Sequence, residues 1–381
     1  MPTLRDPLPD YPWDTMAPFI ERARRHPGGV LDLSIGSPVD PTPSVAREAL
    51  AAAAEAHGYP ATAGAADLRE AISEWTLRRR GVTVAPDAVL PTIGSKELVA
   101  LLPLLLGIGR GEAVVHPRIA YPSYAMGAAL VGAESVAADD PGEWPAGTRL
   151  VWVNSPSNPD GRVLGVAELR SAVARARELG AVIVGDECYA EFGWEAPWDI
   201  ERIPSILDPR VVGDDHRGVL AAYSLSKQSN LAGYRAAFVA GDAELIASLL
   251  RVRKHAGLIP PAPVQAVTAA VLGDEAHVDA QRERYRARRA LLRPALEAAG
   301  YRIDGSEAGL YLWATRGADA WESVAELAEL GIVSGPGHFY GVHSPQHVRL
   351  ALTASDPVIS AAAERLSLAA ARSSQAADGP A

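Results

Sequence analysis

The 381-residue chain has a single cysteine, Cys188, so no disulfide can close within it. That economy suits a reducing compartment, and a cytoplasmic protein is the expectation. Cys188 itself carries no sign of a nucleophile and is expected to pack. A long uncharged apolar run is also missing. The longest, "LVALLPLLLGIG" from Leu98, contains Pro103 and falls short of the roughly 20 residues a spanning helix needs. The stretch "MPTLRDPLPDYPWDTM" lacks the apolar centre of a secretory signal. Basic charge is scarce, with 36 Lys and Arg against 46 Asp and Glu and a formal net charge of −10. Nucleic acid and anionic membrane surfaces are therefore poor partners. Small acidic substrates stay open, because two local arginines outweigh the total. His57, His116 and His255 have no metal-ligand spacing, and no metal is expected.

Hydrophobic residues are plentiful, at 48% against 22% charged, enough for a sizeable core. Helices are predicted over 44–57, with Ser44 as N-cap, over 66–80 up to Gly81, from Ser95 towards Gly107, and over 166–179 up to Gly180. Short valine-rich runs at 112–116, 149–153, 181–186 and 219–224 read as strands. Continuous apolar strands alternating with helices predict an α/β fold with a mainly parallel sheet covered on both faces. Further on come a helix to His255, a break at "GLIPPAP", a long charged helix over 274–299, and a smaller α+β lobe. The expected division is a large domain over 41–280, a small domain made of 1–40 and 281–372, and a disordered tail over 373–381.

In such sheets the working residues stand at the carboxyl ends of the strands. Here three strand ends run into polar clusters: "NSPSNP", "DECY" and "SLSK". Lys227 in the last of these offers an amine that can form a Schiff base with an aldehyde. Asp186 could pair with a protonated ring nitrogen, while Asn158 and Tyr189 could donate to a phenolate oxygen. Ser224, Ser226 and Arg235 could hold a phosphate. The turn "TIGSKEL" opens a helix whose first amides, near Ser95 and Lys96, form an anion site. Aldehyde, ring nitrogen, phenolate and phosphate are the four handles of pyridoxal 5′-phosphate.

In their order along the chain, "NSPSNP", "DECY", "SLSK" and an arginine eight residues after the lysine resemble the class I/II aminotransferases of fold type I. The resemblance runs from "LSIGSP" to "HVRLALT" and implies a large domain with a seven-stranded sheet between helices. It implies that Lys227 bears the cofactor and shuttles the proton, that Asp186 pairs with the ring nitrogen, and that Tyr189 and Asn158 tune the phenolate. By the same token Ser95, Lys96, Ser224, Ser226 and Arg235 surround the phosphate, and Tyr121 stacks on the ring, with Tyr124 near enough to take its place. Arg349 and Gly36 would receive the substrate carboxylate together with Asn158. Tyr59 would reach the phosphate of a neighbouring subunit, implying a homodimer with shared sites. Amino-acid and 2-oxo-acid substrates follow. Stretches such as "GYPATAG", "SLSKQSNLAGYR" and "AGLYLWATRG" look most like actinobacterial N-succinyldiaminopimelate aminotransferases, implying a place in lysine and diaminopimelate synthesis. "VSGPGHFYG" departs from the alanine-proline-glycine turn usual there. Aspartate, aromatic or broad-specificity transamination and carbon–sulfur lysis remain alternatives on the same fold.

Overall fold

The computed structural model describes residues 12–377. A seven-stranded sheet forms the centre of the larger lobe. From one edge its strands are Val89–Ile93, Ala236–Gly241, Val219–Ser224, Val182–Asp186, Thr148–Asn154, Ala113–His116 and Glu134–Ala137. Only Ala236–Gly241 runs against its neighbours; the other adjacent pairs are parallel. Successive side chains of a strand point to opposite faces, so both faces of this sheet need cover. Val151, Ile183 and Val219 pack with Ile72, Leu169 and Val271 on one side. Leu150, Trp152, Val184 and Leu220 pack with Leu98, Tyr124 and Leu249 on the other.

Register brings the sequence clusters together. Asn154 pairs with Asp186, Asp186 with Ala222, and Ser224 with Ala237. Three polar strand ends therefore stand side by side at one rim of the sheet. The smaller lobe closes over that rim. Its antiparallel sheet has the order Gly335–Pro336, His347–Ala351, Tyr311–Thr315, Arg302–Ile303, and it shares a core with the helices Ala276–Ala298 and Ala320–Glu329. Leu31–Asp32 pairs parallel with Ile332–Val333, so this N-terminal segment packs with the C-terminal lobe.

Several boundaries differ from the sequence reading. The first large-lobe helix is Ser44–Ala52, Pro43 occupies its cap, and Ser44 is its first helical residue. Past Ala52 the alanines are mostly exposed, and without a surface to bury, propensity alone does not extend the helix. The helix Ala66–Trp75 continues through one wide turn, Thr76–Arg80, before Gly81 ends it at φ 70°. After the predicted break, an unpredicted helix Ala262–Leu272 starts within "PPAP", because proline is tolerated in a first turn. The last helix, Asp356–Ala377, runs into the stretch expected as a disordered tail. Residues 378–381 of that tail and 1–11 of the expected N-terminal arm lie outside the described residues.

The loop carrying Gly36 is fastened by charge. Arg288, on the long helix, donates to Asp40 at 2.6 and 2.8 Å and to Asp356 at 2.6 Å. Gln281, two turns earlier, donates to the same Asp40 carboxylate at 2.8 Å. Burial works against the Asp40 charge, yet the bonds from Arg288 and Gln281 hold its carboxyl below the usual carboxylate range. Arg288→Ala leaves that charge without its main partner and is expected to cost about 3 kcal/mol, read as a fall in the thermal midpoint. A depressed carboxyl stabilises above its unfolded value near pH 4 and loses that contribution as the pH falls through its folded value. The deficit of the variant should accordingly shrink below about pH 4.

Candidate active site

A cavity of about 520 Å³ lies where the strand ends meet the smaller lobe. At its floor is Asp186, the last residue of its strand and 7% exposed. The carboxylate accepts from Tyr124 Oη at 2.8 Å and from the Cys188 amide at 3.3 Å. Its own carbonyl accepts from Asn154 Nδ2 at 2.9 Å, and Asn154 Oδ1 in turn accepts from the Asn158 amide at 2.8 Å. Burial pushes the Asp186 carboxyl upward, while the Cys188 and Tyr124 donors act to keep it charged. A carboxylate so placed needs a cationic or proton-bearing partner in the cavity.

Lys227 stands in the single turn Leu225–Gln228, which Ser224 caps by accepting from the Ser226 amide at 3.2 Å. Its amine donates to the Gly36 carbonyl. Burial draws the amine below its ordinary value, which favours the neutral, nucleophilic form. The segment after it is held from below: Tyr285 donates to the Lys227 carbonyl at 3.4 Å, and Asn230, at φ 53°, donates to Gln281 at 2.9 Å.

At the opposite end the helix Ser95–Leu105 opens towards the cavity from Gly94. Gly94 has φ 74°, and a Cβ there would stand 2.1 Å from Arg235 Nη2. The Gly94 amide donates to the Arg235 carbonyl at 2.8 Å, and Arg235 Nη1 to Ala232 O at 2.8 Å. Ser224 Oγ donates to Ser226 Oγ at 2.8 Å. Ser95, Lys96, Ser224, Ser226 and Arg235 all line this end, where a helix N-terminus, hydroxyls and a guanidinium suit a phosphate.

The smaller lobe supplies Arg349, 4% exposed. Nη1 donates to Asn158 Oδ1 at 2.8 Å and Nη2 to the Ser34 carbonyl at 2.6 Å, while the buried Nε has no hydrogen-bond partner. The guanidinium lies over the rings of Tyr311 and Tyr340, 4.0 and 5.0 Å from their centroids. A buried guanidinium with an unmet donor in a cavity wall suits a carboxylate. Gly335 and Pro336 pair with Arg349 and Val348, so the departing "VSGPGHFYG" segment builds the strand beside the arginine. The turn Gly337–Tyr340 then puts Phe339 and Tyr340 into the cavity wall.

Of the residues singled out in the sequence, Gly36, Ser95, Lys96, Tyr121, Asn158, Asp186, Tyr189, Ser224, Ser226, Lys227, Arg235 and Arg349 converge on this cavity. Tyr59 does not; it is fully exposed on the loop after the first large-lobe helix. Tyr121 and Tyr124 both line the cavity, their rings edge to face with centroids 6.0 Å apart; Tyr121 is half-buried, whereas Tyr124 is fully buried and stacked on Trp152 with centroids 5.2 Å apart. Sequence reasoning missed Tyr311, Asn154 and the Asp186 bond of Tyr124. Asn154 had a signal, as the first residue of "NSPSNP"; Tyr311 had none, and Tyr124 entered only as a stand-in for Tyr121.

A buried carboxylate, a lysine amine with lowered pKa, and a phosphate-shaped rim fit pyridoxal 5′-phosphate at its ring nitrogen, aldehyde and phosphate. Among the described residues no group of His, Cys, Asp and Glu could hold a metal ion, and no helix is long and apolar enough to cross a membrane. Gly94→Ala meets both an unfavourable φ and the Arg235 guanidinium. It is expected to weaken cofactor binding to the apoprotein about tenfold or more, measured by fluorescence titration.

The model of "Aminotransferase class I and II" matches residues 28–366. A 4-dedimethylamino-4-oxo-anhydrotetracycline transaminase of Streptomyces rimosus is 54% identical over 94% of this chain and 99% of its own. A probable aminotransferase of Mycobacterium tuberculosis is also 54% identical, over 94% of this chain and 85% of its own. Among solved structures, a probable N-succinyldiaminopimelate aminotransferase of Thermus thermophilus superposes with a TM-score of 0.84 at 28% identity, covering 94% of this chain and 100% of that one. These likenesses span the strand ends, the small lobe and the cavity between them. The chain belongs to the class I and II aminotransferases, a family that depends on pyridoxal 5′-phosphate.

Proposed function

We propose that this transaminase exchanges the amino group between N-succinyl-LL-2,6-diaminopimelate and the 2-oxoglutarate/glutamate pair, in lysine and diaminopimelate synthesis. The observation that carries the chemistry is the convergence of Lys227, Asp186 and the unmet Arg349 donor on one cavity. The cofactor, when bound, supplies an electron sink for the bond broken at the substrate α-carbon. Everything else falls to the chain's own groups. Arg349 and Asn158 hold the α-carboxylate and so orient the α-hydrogen. The Lys227 amine would hold the cofactor at its aldehyde and, when free, would take the α-proton and return it as general base and acid. Asp186 would keep the ring nitrogen protonated, Tyr189 and Asn158 would bond the phenolate oxygen, Tyr121 would cover the ring, and Ser95, Lys96, Ser224, Ser226 and Arg235 would hold the phosphate.

Support for the diaminopimelate assignment is the run of sequence motifs and the name of the Thermus neighbour. A second reading has its own observation. Trp13, Tyr121, Phe339 and Tyr340 make one wall of the cavity aromatic, which suits a planar or apolar carbonyl substrate. The Streptomyces relative is named for a ketone of that kind. The exposed Tyr59 suits the reading of a homodimer in which it reaches the partner's phosphate site. The single cysteine suits a cytoplasmic location.

Glutamate alone should convert the holoenzyme spectrum to that of the amino form of the cofactor; pyruvate released from a cysteine-type substrate would mean a lyase instead. Steady-state rates with 2-oxoglutarate should favour N-succinyl-diaminopimelate over N-acetylornithine, aspartate and aromatic amino acids. Preference for an aromatic or polycyclic substrate would replace this assignment with the second reading. Lys227→Ala should lose the visible absorbance and turnover while its far-UV spectrum is retained.

A further inference from the structure

Tyr311 belongs to none of the residues that marked the site in the sequence, yet the cavity groups converge on it. Its ring lies under the Arg349 guanidinium, 4.0 Å from centroid to carbon. Its hydroxyl is 3.1 Å from Tyr189 Oη. It also fills the space over Gly36, where an added Cβ would stand 2.1 Å from that hydroxyl. The Gly36 carbonyl is the acceptor of the Lys227 amine. One side chain therefore touches the carboxylate grip and the Tyr189 phenol, and abuts the glycine that receives the lysine.

We propose that Tyr311 is a positioning residue of the transamination site: its ring sets the plane in which Arg349 receives a carboxylate, and its hydroxyl, between Tyr189 and Gly36, shapes the surroundings of the Lys227 amine. The proposal rests on reading Lys227 as the cofactor lysine, and is independent of which substrate is used. A guanidinium over an aromatic face is held in one plane by the ring quadrupole, most firmly where water is excluded. Both residues are buried, and strand pairing sets them close, with Arg349 opposite Trp313, two residues from Tyr311.

The charges follow from the same placement. Lys227 faces Tyr311, Arg349, Cys188 and Arg235; Tyr311 faces Arg349, Lys227, Tyr189 and Cys188. Burial pushes the Tyr311 hydroxyl up, but Arg349 and Lys227 outweigh it and bring the hydroxyl below an ordinary phenol. Burial draws the Lys227 amine down, and Tyr311 is the foremost neighbour acting to restore it. Removing the Tyr311 hydroxyl should therefore lower the pH at which Lys227 loses its proton.

The test uses the full-length apoprotein. Lys227 is labelled by reductive methylation across a pH series, read by peptide mass spectrometry, and the dissociation constant of 3-phenylpropionate is measured by calorimetry. Tyr311→Phe, which keeps the ring, should hold the dissociation constant within about twofold but lower the ligand-free midpoint by about 0.5 unit or more. Tyr311→Leu should in addition weaken 3-phenylpropionate binding about tenfold. A Phe variant with the wild-type midpoint, or a Leu variant with wild-type affinity, overturns the proposal. If the Leu variant fails to fold by near-ultraviolet dichroism, the Phe variant decides alone. Failure of pyridoxal 5′-phosphate to attach to Lys227 would instead sink the functional reading.

Discussion

Bringing ionisable groups out of water without pairing them is the constraint around which this molecule is organised. Asp186 and Lys227 stand in one cavity, and neither is neutralised by an ion pair of its own. Asp186 is held by a phenol and a backbone amide, Lys227 by a carbonyl. Each would be more stable in water, and each keeps its place because the surroundings over-determine it. The sheet register fixes the carboxylate between Asn154 and Ala222, and a capped single turn fixes the lysine. The imbalance is the source of reactivity, since groups left short of partners are poised to accept a cofactor that supplies them.

The same logic explains why the long helix Ala276–Ala298 matters to a site it does not line. Tyr285, Gln281 and Arg288 lie along one helix face and reach, in turn, the Lys227 carbonyl, the Asn230 and Asp40 side chains, and Asp40 again. The helix thus holds the lysine segment and the Gly36 loop at a fixed separation, across which the lysine amine meets the Gly36 carbonyl. A buried network with its bonds satisfied specifies geometry more than it adds stability.

Much of this is legible in the sequence, for a physical reason. Polar residues directly after apolar strands are conspicuous because hydrophobic patterning leaves no other explanation for them. Asp186, Asn158 and Lys227 stood out in this way, and Arg349 did so by interrupting an apolar strand. Tyr311 and the hydroxyl partner of Tyr124 were hidden for the converse reason. A tyrosine in an apolar run looks like core, and only the fold reveals that its hydroxyl faces a carboxylate or a second phenol. The helix Ala262–Leu272 was masked by its prolines, and the end of Ser44–Ala52 by alanines whose propensity outruns their packing. Tyr59 marks another limit: it is fully exposed on the single chain, and the role the resemblance implies for it lies on a neighbouring subunit.

The pairing of Gly335 and Pro336 with Arg349 and Val348 has a consequence for how such a site diversifies. The residues that fix the arginine in place are used up in backbone pairing, and a proline and a glycine offer little side chain to vary. Side-chain variety is left to the following turn, where Phe339 and Tyr340 border the cavity. If Arg349 receives a carboxylate as proposed, its hold is set by backbone pairing that changes in Phe339 or Tyr340 leave intact.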